Sequence, residues 1–348
     1  MAKKEANTAG YDELLAALRT NEPRRLYAFY GEERYLLEHY LGELRKLVPA
    51  GTEEFNLRRF DGRTLTPRDL SEAVDALPVF SERTVTEIWD YDFSKAGEDA
   101  RSSLLETLSD IPEYACVVFV FDTAEFKLDA RYQINARLKA LFSQVEFCPQ
   151  DQDKLTRWIA GHVKSAGKKI AGDTAEYLSF RTGGLMTTLD NEIAKLVSYC
   201  GGDTVTRADV DAVVSPVLDA AAYELTDAML RGDCSAAAGK LGELLAMDEA
   251  PHKILYSIGV KARQLLGAKL CLEAGAGTGE FSRLFGIRYE FQARAVLSAA
   301  RRASLGTCRG FVCLCAEAAY KLNSSAEGGG REILAELLTS FALLGKAG

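Results

Sequence analysis

The sequence lacks a long hydrophobic run, since no uninterrupted apolar stretch reaches the ~18 residues that a membrane-spanning helix requires. The N-terminal stretch MAKKEANTAGYDE contains two lysines but no apolar core after them, which is not the pattern of a signal peptide. Only 8 prolines accompany a hydrophobic content of 47%, a composition typical of folded globular proteins. We therefore expect a cytoplasmic protein of roughly two or three domains.

The sequence also has no excess of basic over acidic residues. Its net charge of −8 argues against a protein that holds nucleic acid by electrostatics alone. Beyond residue 215 the chain is nearly neutral, whereas the part before it is acidic. This difference indicates separate domains and provides no basic footprint for a nucleic acid.

Metal-ligand spacing and catalytic triads are missing as well. Only three of the eight cysteines lie close together, namely Cys308, Cys313 and Cys315, and they lack the paired C-x₂₋₄-C spacing of structural zinc sites. We interpret them as residues packed in a helix. The histidines are far apart in sequence, and no serine or cysteine with a matching acid partner accompanies them (His39, His162, His252). We expect no catalytic residue and no bound metal.

Strand-like and helix-like segments alternate over residues 1–149. The run CVVFVFD is β-branched and aromatic throughout, which is typical of a fully buried parallel strand. Helices of ~10–15 residues between strands predict βαβ units and a parallel sheet. The predicted strands are 26–30, 55–62, 83–91, 116–122 and 144–149, and the later helices are 66–80, 100–112 and 130–142.

The pattern becomes helical after Pro149. Residues 150–216 contain four helical segments, of which two end in glycine and the last is stopped by Pro216. Residues 217–348 show apolar residues three and four apart throughout, without a repeat of 20–50 residues. We therefore predict an α/β domain (1–149), a small helical domain (150–216) and a helical bundle (217–348).

The segment YAFYGEERYLLEHYLGEL, residues 27–44, begins like a nucleotide-binding domain, with a buried strand, Gly31 at the turn and an amphipathic helix. A phosphate-binding loop would read GxxxxGK[ST], but Glu32 and Glu33 stand where backbone amides and a lysine are needed. Asp122 ends a strand like that of a Walker B motif, but Thr123 follows it instead of a glutamate. We expect no nucleotide-binding residue, and we interpret Asp122 as the cap of a turn.

A short apolar turn follows the predicted helix TPRDLSEAVDALPVF. Thr66 is the expected N-cap, and the apolar face ends at Leu77, where Pro78 stops the helix. Val79 and Phe80 then project from a turn, and an aromatic side chain on a rigid turn can fill a pocket on a partner at little entropic cost. The alternative is that Phe80 covers the edge of the first domain's core.

The whole arrangement resembles the family of δ subunits of the bacterial DNA polymerase III clamp loader. The likeness covers nearly the whole chain, and it rests on a series of stretches in the right order and spacing. These are YGEERYLLE, FNLRRFDG, ALPVFSERTVTEI, EFCPQDQDKLTRWIAGHVKSAGKKI, RTGGLMTTLDNEIAKLVSYCGGDTVTRADVDAVVSP and YELTDAMLRGD.

The resemblance implies an α/β plus all-α fold, with a degenerate AAA+-like module, a small lid-like helical domain and a C-terminal collar bundle. It implies no ATP hydrolysis by this chain, no cofactor, and a role in binding and opening the ring-shaped sliding clamp. The implied partners are the sliding clamp, the other subunits of a hetero-pentamer and primer–template DNA. It assigns the clamp contact to Leu77, Pro78, Val79 and Phe80, although family members often have leucine or another bulky residue in place of Val79.

Three rival functions make different predictions. An active ATPase predicts saturable ATP binding, against which the stretch from Gly31 to Glu38 argues. A helix-turn-helix regulator predicts sequence-dependent DNA binding through residues 280–304, which carry five arginines in a nearly neutral region (Arg283, Arg288, Arg294, Arg301, Arg302). The stator-like δ′ sister subunit predicts a zinc module and an arginine finger, and the sequence has neither pattern.

Overall fold

A computed structural model describes residues 8–129, 132–324 and 329–346, and the chain divides into two compact units, Met1–Gln150 and Asp151–Gly348. The first unit is α/β and the second is almost entirely helical. None of the helices in these described ranges combines the length and the apolarity needed to cross a bilayer.

The first unit is built on five parallel strands in the order β2-β3-β4-β1-β5. This confirms the predicted parallel sheet with flanking helices. Residues 130 and 131 of the predicted helix 130–142 lie outside the described residues. The strands are β1 (Leu26–Tyr30), β2 (Leu57–Asp61), β3 (Thr84–Trp89), β4 (Ala115–Val120) and β5 (Ser143–Glu146), and the helices are α1 (Thr8–Thr20), α2 (Arg34–Arg45), α3 (Glu53–Asn56), α4 (Pro67–Asp75), α5 (Glu98–Ser109) and α6 (Gln133–Leu141).

The central strand β4 shows why this sequence forms a parallel sheet. All six of its residues are buried, and it pairs with β3 on one side and β1 on the other. An apolar strand in this position contributes side chains to both faces of the sheet, which explains its uninterrupted hydrophobic run. On one face, Val117 and Phe119 join a core that includes Leu70, Leu104 and Phe142 from the flanking helices and loops.

A buried carboxylate connects helix α2 to strands β2 and β3. Glu87 of β3 is fully buried and accepts hydrogen bonds from Arg45 Nε (2.5 Å), Arg59 Nε (3.1 Å) and Trp89 Nε1 (3.1 Å). Burial alone would raise the pKa of Glu87, but the hydrogen bonds and positive charge of the arginines outweigh burial and lower it. Glu87 is therefore ionised in the folded protein at neutral pH.

We expect Glu87→Gln to destabilise the first unit by about 1–3 kcal/mol at pH 7, because the amide cannot replace the three charge-assisted hydrogen bonds from Arg45 and Arg59. A carboxylate with a lowered pKa stabilises the fold above its unfolded-state pKa of about 4.3, and this contribution is lost as the pH falls through the folded value. The difference from wild type should therefore shrink below about pH 4. Trp89 fluorescence in a Trp158→Phe background reports on this unit, and parallel stability profiles from pH 7 to pH 3 would contradict the expectation.

The second unit consists of helices with one short two-stranded parallel sheet. The sheet pairs Lys169–Ile170 with Thr204–Val205, in a region predicted to be helical, and two residues per strand are too few to show a periodic pattern. The elements are α7 (Gln152–Ser165), β6 (Lys169–Ile170), α8 (Gly172–Thr182), α9 (Met186–Tyr199), β7 (Thr204–Val205), α10 (Arg207–Val213), α11 (Leu218–Arg231), α12 (Cys234–Ala246), α13 (Pro251–Glu273), α14 (Thr278–Phe285), α15 (Glu290–Arg302), α16 (Leu305–Ser324) and α17 (Gly330–Lys346).

The main core of the second unit lies among α11 to α17 and contains Phe281, Phe311 and Leu334. A smaller aromatic cluster joins α8 to α11 and α15, where the ring of Phe180 lies 5.3 Å from Tyr223 and 5.4 Å from Tyr289 between centroids. Helices on both sides of residue 216 thus pack together within one unit. The predicted domain boundary at this residue stays a prediction.

Candidate functional site

The four predicted contact residues lie together in the connection between α4 and β3. We call Leu77, Pro78, Val79 and Phe80 the tip. The helix before it starts as expected, because Thr66 accepts a hydrogen bond from the amide of Asp69, the Asp69 carboxylate accepts one in return, and a proline occupies the first turn. The tip therefore follows a helix with a well-defined start.

The end of α4 differs from the prediction. The helix stops at Asp75 and Ala76 is already extended, so Leu77 lies outside the helix instead of on its apolar face. Proline disfavours the helical conformation of the residue before it, so the helix ends before Leu77 instead of at Pro78 itself. Leu70 and Val74 are buried as predicted, whereas Leu77 is exposed.

Two apolar side chains of the tip point into solvent. The exposed fraction is 87% for Phe80 and 72% for Leu77, against 38% for Val79. Phe80 also has a φ of +53°, the left-handed region that costs a residue with a Cβ about 1–2 kcal/mol. The alternative that Phe80 covers the edge of the core is therefore wrong. An exposed aromatic in a strained conformation is instead typical of an interaction site.

A buried asparagine holds the backbone of the tip. Asn56 is fully buried, and its side-chain oxygen accepts a hydrogen bond from Val79 N at 2.8 Å. Its side-chain nitrogen donates to Val79 O at 2.8 Å and to Thr52 O at 3.0 Å. Asn56 lies within the predicted strand 55–62, whereas the structure places it in the short helix α3, so the sequence pattern gave no signal for this role.

In the nucleotide-like turn after β1, which resembles the start of a nucleotide-binding domain, groups of the protein itself occupy the space where a phosphate would bind. Gly31 has a φ of +131°, and a side chain there would lie 2.3 Å from the carbonyl oxygen of Phe147. The amide of Glu33 donates to the same oxygen at 2.9 Å, and the Glu33 side chain is fully buried. An amide that a phosphate would need is thus already used, and a carboxylate is buried beside it.

The Walker B-like aspartate does not cap a turn. Asp122 forms an ion pair with Arg34, at the first turn of α2. The turn after β4 is capped by Asp90, which accepts hydrogen bonds from the amides of Asp122, Thr123 and Ala124 at 2.8–3.0 Å. Burial would raise the pKa of Asp90, but the Thr123 hydroxyl and these amides outweigh burial and lower it.

The tip and the nucleotide-like turn lie at opposite edges of the sheet. Gly31, Asp90 and Asp122 follow the carboxyl ends of β1, β3 and β4, whereas the tip precedes the amino end of β3. Since all strands are parallel, these ends define the two edges. A partner at the tip would therefore approach the edge remote from the nucleotide-like turn.

The other sequence candidates have structural roles. In α16, Cys308 and Cys315 are buried in the core while Cys313 is exposed, and the described ranges contain no group of three or more side chains that could hold a metal. The helix-turn-helix arrangement over 280–304 is present as α14, a left-handed Gly286 and α15. One of its arginines, Arg294, is paired with Glu290 at 2.7 Å.

Comparisons with known proteins match two parts of the chain to one family. A family model described as "DNA polymerase III, delta subunit" matches residues 27–147, and one described as "DNA polymerase III delta subunit, C-terminal domain" matches residues 219–340. Together these ranges take in more than half of the chain.

Individual relatives are similar over most of their length. DNA polymerase III subunit delta of Bacillus subtilis is 26% identical over 271 residues, which cover 75% of this chain and 77% of the relative. A probable DNA polymerase III subunit delta of Aquifex aeolicus is 22% identical over 284 residues, 78% of this chain and 79% of the relative. Among solved structures, the Bacillus subtilis DNA clamp loader delta protein has a TM-score of 0.49 and 22% identity, covering 96% of this chain and 99% of that one.

Proposed function

The chain belongs to the DNA polymerase III delta subunit family, and on that premise we propose that it is the clamp-loader arm that binds the sliding clamp through its tip and opens the ring. The observation that carries the proposal is the exposure of Phe80 and Leu77 on a turn whose backbone is held from inside the protein. The closed nucleotide-like turn supports a binding role without ATP hydrolysis.

The physical basis of binding is burial of the tip in an apolar pocket. A Phe side chain that leaves water completely contributes about 1.5–3 kcal/mol, and Leu77 adds a second apolar group. The backbone of Val79 is held before binding, so little conformational freedom is lost when the partner closes around the tip. Phe80 is therefore the proposed anchor, with Leu77 beside it.

Ring opening requires more than tight binding. A protein that binds closed and open rings equally well does not shift the equilibrium between them. One that prefers the open or distorted ring stabilises that form by the difference in binding free energy. We infer that the pocket for the tip changes shape between the two states of the ring. The tip, with its fixed backbone, then fits the open form better.

The remaining partners follow from the same role. The helical region beyond residue 216 is proposed to pack with equivalent bundles of the other clamp-loader subunits, and ATP binding by those subunits would control access to the clamp. Primer–template DNA would lie within the assembled complex, in the cytoplasm. No cofactor is needed by this chain.

We expect the purified chain to bind the sliding clamp of the same organism and to accelerate its release from nicked circular DNA. Binding is measured by calorimetry, and release by separating a labelled clamp from the DNA over time. A clamp whose ring interfaces are covalently cross-linked is the control, because it should bind but not leave the circle. Absence of binding both by the isolated chain and by the assembled loader with ATP would contradict the proposed function.

A further inference from the structure

We propose that Asn56 is a positioning residue for clamp binding, and that it acts by holding the backbone of Val79 so that Phe80 is presented to the partner. The proposal rests on the proposed function of the tip. Asn56 is fully buried, so it contributes nothing to a contact surface directly. Its effect on binding is therefore indirect, and we assign it to the two hydrogen bonds that it makes to Val79.

The Asn56 carboxamide pairs with the Val79 backbone as a residue of a neighbouring β-strand would. One carboxamide satisfies both the N–H and the C=O of Val79 at 2.8 Å, and a further donation to Thr52 O at 3.0 Å fixes the carboxamide itself. A buried asparagine with three such bonds has little rotational freedom. Val79 is thereby attached to α3 at a point 23 residues earlier in the chain.

The tip needs this attachment because of the backbone conformation of Phe80, the residue after Val79. Phe80 has a left-handed backbone, a conformation that persists only where its surroundings determine it. Its own side chain cannot supply that restraint, because 87% of it is exposed. On the other side, Ser81 accepts a hydrogen bond from Arg83 N at 3.2 Å and donates to Arg83 O at 2.8 Å. The strained residue thus lies between two restrained points, Val79 and Ser81.

The direct readout of this attachment is amide hydrogen exchange at Val79 in the free chain. We expect slow exchange in the wild type, fast exchange in Asn56→Ala and slow exchange in Phe80→Ala. This measurement needs no partner, so it is independent of the proposed function. Fast exchange at Val79 in the wild type would overturn the inference.

The binding readout is a double-mutant cycle on clamp affinity. We expect Asn56→Ala to weaken clamp binding roughly tenfold, because the tip must then be ordered during association. In a Phe80→Ala background the same change should weaken binding less than about twofold, since the anchor that Asn56 positions is gone. Equal losses in both backgrounds would show that Asn56 acts elsewhere and would overturn the inference.

A matched control separates positioning from general stability. Asn135 of α6 is also a buried asparagine of the first unit, and its side chain donates to Asp129 O at 3.0 Å. Asn135→Ala should lower the unfolding midpoint but leave clamp affinity within about twofold of wild type. If Asn56→Ala does not fold, Asn56→Leu keeps the shape of the side chain while removing the acceptor for Val79 N and the donor to Val79 O. It should also release the tip and weaken binding.

The outcomes distinguish this inference from the proposed function. If the wild type binds and Phe80→Ala does not, unchanged affinity in Asn56→Ala overturns the positioning role alone. If the wild type binds the clamp neither as the isolated chain nor in the assembled loader with ATP, the proposed function is wrong, and so is the role of Asn56 in binding. The exchange of Val79 still reports in that case whether Asn56 holds the tip.

Discussion

Phe80→Ala is expected to weaken binding of the sliding clamp by thirtyfold or more, a loss of roughly 2–4 kcal/mol. The reason is that the ring is 87% exposed in the free chain and becomes the buried anchor of the interface. Because the side chain makes little contact within its own protein, the same change should leave the unfolding midpoint of the chain nearly unchanged. Calorimetric titration of the clamp and thermal unfolding together measure both expectations.

The rest of the tip provides a graded series for the same measurement. Leu77→Ala should cost less than Phe80→Ala, and Val79→Ala least, in the order of their exposed fractions. Tyr132→Ala is the matched control, because Tyr132 is a half-exposed aromatic that precedes α6 and follows β4 at the opposite edge of the sheet. If Phe80→Ala and Tyr132→Ala have the same affinity as wild type, the tip is not the contact and family membership is unaffected.

The architecture of the first unit could be predicted from sequence because its signals are local. The apolar run that became β4 needs only neighbouring strands and helices to be buried, and its composition alone predicts a central position. The turn at Gly31 was equally readable, since a phosphate-binding loop depends on particular residues at fixed spacing. Those residues are absent from the sequence, and the structure shows Glu33 buried in that place.

The detail of the tip could be predicted only in part. Sequence periodicity extended the helix to Leu77, because Leu70, Val74 and Leu77 have helical spacing, but the proline at 78 acts on the residue before it. Periodicity also carries no information on exposure once the helix has ended. The four residues therefore stay a predicted contact site, and the conformation that exposes two of them could not be predicted.

Asn56 could not have been found from the sequence alone. Its partner Val79 is 23 residues away, and an asparagine inside the predicted strand 55–62 gives no sign of hydrogen bonds to a remote backbone. Pairing of a side-chain amide with a remote backbone depends on how α3 and the α4–β3 connection meet in the folded unit. Such contacts are set by tertiary structure, which periodic patterns do not encode.

The two edges of the sheet in the first unit differ in the side chains that they present. Arg34 and Asp122 form an ion pair at the carboxyl edge of the sheet. Asp90 similarly satisfies three backbone amides there. Among the described residues of the first unit, the two most exposed large apolar side chains, Phe80 and Leu77, lie at the opposite edge.

The largest effect on stability is expected from Arg181→Ala in the second unit, at about 3–5 kcal/mol. The Arg181 side chain is only 7% exposed and joins three helices. It donates to Asp211 at 2.6 Å, to Glu224 at 3.0 Å and to the carbonyl of Val214 at 2.8 Å. Removing the guanidinium leaves the buried Val214 carbonyl without this donor and leaves Glu224 with only Lys240 as a cation partner among the described residues, and it also leaves a cavity between α8 and α11.

Trp158 provides a reporter for this unit, since a Trp89→Phe background leaves it as the single tryptophan of the chain. Denaturant unfolding followed at Trp158 should show the full loss in Arg181→Ala. Arg231→Ala should show less than about 0.5 kcal/mol, because Arg231 is a half-exposed arginine paired with Asp227 on one turn of α11. Equal and small changes in both variants would mean that the buried network contributes no more than a surface pair.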